Sequence, residues 1–222
     1  MTTLLETSQS DARKLVKSTL TGSGIEAVGG AAAAVLAILG LAHVAPQHML
    51  SISAIVIGLA LLAQAGVLAN GASDVVAREA MGRRDKMEFE GGIGAQALAG
   101  GAALVLGILS LIGLDAGVLM SVTAIVLGVG LVLESGATSR LNRLDDGAPA
   151  SARGTHARRA VAGSEGAQML IGLAAVVLGI LALIGLDATT LNLVAMLAVS
   201  VSILLSGAAL GGKMAGMLAM SH

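Results

Sequence analysis

The stretch GIEAVGGAAAAVLAILGLAHVAPQHMLSISAIVIGLALLAQAGV, residues 24–67, returns without a gap as GAQALAGGAALVLGILSLIGLDAGVLMSVTAIVLGVGLVLESGA, residues 94–137. Among the residues that meet their own kind across this shift of 70 are Gly24, Ala27, Gly30, Ala33, Val35, Leu36, Ser51, Ala54, Gly58 and Leu61. A further shift of 72 lays LGILSLIGLD, residues 106–115, on LGILALIGLD, residues 178–187, with a single substitution. Chains rich in Ala, Leu and Gly produce chance matches, but ungapped identity at Ser, Gly and Asp positions is hard to reach that way. The chain therefore reads as three tandem copies of one unit, and a fixed period of this kind organises a whole fold.

Outward from the repeat, apolar stretches recur at residues 24–42, 49–70, 92–114, 117–133, 166–186 and 189–211. Several reach the ~20 residues with which a helix crosses a ~30 Å hydrocarbon core. Of the 222 residues, 55% are hydrophobic and 12% charged, and the mean hydropathy is +0.89. A soluble helical bundle of this size carries charge on its outer faces, whereas all six stretches are almost free of it. The expected fold is all-α: a polytopic membrane protein with six transmembrane helices, arranged as three parallel hairpins about a pseudo-threefold axis. The first stretch follows a polar tail and shows no A-x-A-like cleavage site, so it reads as a retained helix rather than a signal peptide. The chain has no Cys, which excludes thiol chemistry, and Phe89 is its one aromatic residue, so the usual interfacial aromatic anchors are missing.

The units divide the chain into an N-terminal segment 1–23, hairpin 24–70, linker 71–91, hairpin 92–137, linker 138–163, hairpin 164–211 and tail 212–222. Loop centres fall at Ala45, Asp115 and Asp187. In units two and three G-L-D supplies Gly for a left-handed helix end and Asp as a cap for the next helix. In unit one Pro46 breaks the chain. Residues 11–20 suit an amphipathic surface helix. Ser73 suits the cap of a helical extension, and the second linker, holding Pro149, reads as a flexible tether.

Charge predicts orientation. Arg13, Lys14 and Lys17 precede the first span; Arg78, Arg83, Arg84 and Lys86 lie between the second and third; Arg140, Arg143, Arg153, Arg158 and Arg159 follow the fourth; Lys213 follows the sixth. Every Lys and Arg thus falls on one side, which the positive-inside rule makes cytoplasmic, together with both termini. A bacterial inner membrane is the expected location. Arg153, Arg158 and Arg159 could contact anionic lipid. Three units of two helices share one orientation, unlike the inverted repeats of many transporters.

Small residues mark where helices approach in lipid. Gly30, Ala33 and Ala37 in the first span are matched in register by Gly100, Ala103 and Gly107, and by Gly172, Ala175 and Gly179. Six polar residues also sit within spans: Glu26, Gln64, Gln96, Glu134, Gln168 and Ser206. Glu26 and Gln64 each lie 19 residues from position 45, Gln96 and Glu134 19 from 115, and Gln168 and Ser206 19 from 187. Nineteen residues of helix rise about 28 Å, so the six belong near the cytoplasmic interface. Equal depth predicts one polar clip within each hairpin, with a ligand site as the other reading.

The residues exclude much else. His43 and His48 share a loop tip without a metal-binding spacing, and GGIGAQALAGG opens a membrane helix with no preceding strand, unlike a phosphate loop. No metal, cofactor or nucleic-acid partner is indicated, and an enzyme is not expected. Two classes remain. One is a structural or accessory subunit that packs through its small-residue faces in an oligomer or larger complex. The other is a small channel or transporter for an uncharged or lipid-like permeant along the threefold axis.

Overall fold

The computed structural model of the protein describes residues 24–76, 83–144 and 154–219, with side chains placed over 24–66, 94–135 and 166–208. Among these residues all regular structure is helical: α1 (Gly24–Leu41), α2 (Pro46–Val76), α3 (Arg83–Leu111), α4 (Ala116–Leu144), α5 (Gly154–Leu183) and α6 (Ala188–Ala219). Each contains a segment of at least 18 residues long and apolar enough to cross a membrane, compatible with an integral membrane protein. The expected amphipathic segment and the basic residues Arg78 and Arg153 lie outside the described residues. In the linker 71–91, read as helical, α2 runs through Ser73 to Val76 and α3 starts at Arg83; α4 runs to Leu144 and α5 starts at Gly154, so helix takes up much of the second linker, expected as a flexible tether. Ala and Arg are strong helix formers, and Gly154–Ala167 contains Ala157, Arg158, Arg159, Ala160 and Ala162.

Each tip is closed by the same backbone device. Leu114 N–H donates to Leu109 O and Gly113 N–H to Ser110 O, and Gly113 has φ +96°. These paired bonds form a Schellman turn, which needs a left-handed residue at its centre. Leu186 and Gly185, with φ +95°, repeat it. The tight turn then feeds the next helix: Asp115 Oδ1 accepts from Val118 N–H at 3.3 Å and Asp187 Oδ1 from Thr190 N–H at 3.4 Å. In the first hairpin the left-handed position is taken by His43, φ 64°, whose N–H donates to Gly40 O. Pro46 serves there as the first residue of α2, where its missing N–H costs nothing.

The helices form two layers. The apolar segments of α2, α4 and α6 are 56%, 44% and 50% buried, against 33%, 33% and 22% for α1, α3 and α5. α2, α4 and α6 also touch one another. Their inner faces recur at three- and four-residue steps, as a helix requires: Leu50, Ala54, Ile57 and Leu61; Met120, Ala124, Leu127 and Leu131; Met196, Val199 and Ile203. These residues fill the centre. Toward the outside stand Val28, Leu98, Ile112, Leu170 and Ile184, each about 70% exposed or more, a surface suited to lipid.

The outer helices are held by their small residues, and the contacts join different hairpins. A Cβ built on Gly128 would stand 2.5 Å from Gly172 O, and one on Gly58 2.6 Å from Gly100 O. One on Gly30 would stand 2.6 Å from Leu204 N. Real Cβ contacts do not reach such distances, so α2–α3, α4–α5 and α6–α1 are backbone-to-backbone approaches that only glycine admits. α3 packs more extensively on α2 than on its own hairpin mate α4. All nine residues of the expected seam, Gly30 through Gly179, are buried within the monomer.

Candidate polar belt and buried amide

The six polar residues gather at the end of the bundle remote from the tips. Gln64 Nε2 donates to Glu26 Oε2 at 2.7 Å, joining α2 to α1 within one hairpin as the equal spacing predicts. Two further bonds join different hairpins. Gln96 Nε2 donates to Gln64 Oε1, from α3 to α2, and Gln168 Nε2 donates to Glu134 Oε2 at 3.4 Å, from α5 to α4. Ser206 on α6 and Glu134 on α4 lie near Glu26. The belt therefore crosses hairpin boundaries. The reason is the glycine seams, which draw each of α3 and α5 toward the inner helix of the preceding hairpin and carry Gln96 and Gln168 with them.

Glu26, Gln64 and Gln96 are buried, and Glu134, Gln168 and Ser206 are half-buried. A small cavity of about 10 Å³ opens between α2, α3, α4 and α6, with Gln96 and Glu134 at its polar end and Leu61, Leu127, Val199 and Ile203 as apolar wall. That volume holds about one water.

A second polar group, which sequence reasoning passed over, lies nearer the tips. Asn192 on α6 is fully buried; its Nδ2 donates to Ser121 Oγ on α4 at 2.9 Å, and Ser121 Oγ donates to Gly117 O at 2.7 Å. Asn192 Oδ1 has no partner. The signal was present in the repeat: shifts of 72 and then 70 place Asn192 on Met120 and Leu50, two core residues. On the other side of the bundle Ser51 Oγ and Ser110 Oγ share a 2.7 Å hydrogen bond between α2 and α3.

Among the described residues no group of three His, Asp or Glu lies close enough together to hold a metal ion. Comparison with known proteins finds no matching family model, no matching curated protein and no matching solved structure. The chemistry at this end of the bundle is hydrogen bonding between helices, in which the amides of Gln64 and Gln168 donate to Glu26 and Glu134.

Proposed function

We propose that this chain is a structural or accessory subunit of a membrane, a self-packed module of three parallel hairpins around a pseudo-threefold axis. The observation that carries it is the apolar centre: Ile57, Leu127, Met196, Val199 and Ile203, on the three inner helices, are at most 1% exposed. In this reading the termini and basic residues are cytoplasmic, as in a bacterial inner membrane, and Arg153, Arg158 and Arg159 meet anionic lipid. The belt of Glu26, Gln64, Gln96, Glu134, Gln168 and Ser206 is a clip between helices. Each bond of this type is worth about 0.6–2 kcal/mol in a membrane.

The small-residue faces are spent inside the monomer, so a protein partner or second copy would meet the outer Val, Leu and Ile surface. The alternative, a channel or transporter for an uncharged or lipid-like permeant, has one observation in its favour, the small cavity beside Gln96 and Glu134. A path through the axis would still require α2, α4 and α6 to part.

Native mass spectrometry after gentle solubilisation separates these readings. The accessory reading expects a complex of fixed stoichiometry, with itself or with another membrane protein. A lone monomer that also releases an uncharged solute from proteoliposomes would overturn it.

A further inference from the structure

The three seams between hairpins are alike in geometry and unlike in chemistry. Each sets an outer helix against an inner helix of another hairpin: α3 on α2, α5 on α4, and α1 on α6. Shifts of 70 and 72 bring Gly40, Ser110 and Ala182 to one position on the outer helices, and Ser51, Ser121 and Leu193 to one position on the inner helices. At the first seam Ser51 and Ser110 share a hydrogen bond. At the second, Ala182 has no hydroxyl to offer and Ser121 accepts from Asn192 instead. At the third, Leu193 fills the notch left by Gly40: a Cβ built there would stand 2.5 Å from Leu193 Cδ2, and Leu193 is 2% exposed.

Three similar hairpins can close into a ring in two orders. The observed one runs 1-2-3. The other, 1-3-2, would set α3 on α6, α5 on α2 and α1 on α4. The side chains distinguish the two orders. In the 1-3-2 order Leu193 would meet the Ser110 side chain in place of a notch and would separate Ser51 from Ser110, while Gly40 beside Ser121 would leave a void. Discrimination by clash, void and unpaired polar group is how similar partners are kept apart.

We propose that Leu193 seated in the Gly40 notch is a key that fixes the order in which the three hairpins close. The key rests on the threefold reading above, and its test keeps the two apart. The chain has no cysteine, so the full-length protein in its membrane can carry Thr190→Cys on α6 paired with Leu41→Cys on α1 or with Leu111→Cys on α3, the equivalent position. A short bismaleimide should join the first pair and not the second. Absence of the α6–α1 product in this parent would overturn the ring itself.

Adding Gly40→Ser with Leu193→Ser removes the key and should raise the α6–α3 product about tenfold, what a loss of ~1.4 kcal/mol of discrimination gives. An unchanged α6–α1 product alone overturns the key and leaves the ring standing. Should that variant fail to fold, Gly40→Ser with Ser110→Gly moves the notch from α1 to α3 and keeps Leu193. The product should then shift to α6–α3, and persistence of α6–α1 as the sole product contradicts the key.

Discussion

Asn192 is the residue at which local physics and the observed packing disagree most openly. It stands where the other two units place Leu50 and Met120, and its buried Oδ1 has no partner. A buried amide oxygen without a hydrogen bond costs about 1–3 kcal/mol. Asn192→Leu removes that cost, and Ser121 keeps its bond to Gly117 O. The substitution should raise stability by about 1 kcal/mol, read as a higher midpoint for unfolding in mixed micelles; a comparable loss would show that the amide is satisfied in the membrane. Gln64 gives the opposite expectation. It donates to Glu26 and accepts from Gln96, so Gln64→Leu leaves a buried carboxyl and an amide short of partners. A loss of about 1–3 kcal/mol is expected in the same titration. No change in stability would refute the clip.

Among the helices, the glycine seams carry the packing. Gly128→Ala would push a methyl into Gly172 O, and overpacking of this kind costs about 1–3 kcal/mol. Gly101→Ala on α3 meets nothing within 4 Å and should cost no stability, which makes it the matched control. Helix propensity alone favours Ala over Gly, so equal losses at both positions would contradict a contact-specific cost at Gly128. These elements were largely legible in the sequence. The six spans follow from hydropathy, and the turns at Gly113 and Gly185 follow from G-L-D, because each is a local property of the chain. The direction in which a seam faces is not local. Gly30, Gly100 and Gly172 lie in register within their spans, and nothing in a single helix says whether it meets its hairpin mate or the next hairpin. The belt was legible as a set of six residues, and its bonds only in part: Gln64–Glu26 follows from equal depth, whereas Gln96–Gln64 depends on how the seams turn α3. Asn192 is legible only as a departure from the repeat, an amide where the other two units carry Leu50 and Met120.

At the scale of the whole molecule, an inner trio of helices with an apolar centre is wrapped by an outer trio seated on glycine. Such an object has its small-residue surface turned inward and its branched aliphatic surface turned toward lipid, which suits a component that fills space in a membrane and is held by others. The proposed function requires three hairpins that enter and leave on the same side. Side-specific labelling tests that most directly. Single cysteines replace Ala45, Asp115 or Asp187 at the tips, or Thr155 before the fifth span, and are reacted in intact cells with a membrane-impermeant maleimide. The three tips should label from outside and Thr155 only after the membrane is opened; labelling of any tip from the same side as Thr155 would contradict the parallel-hairpin arrangement.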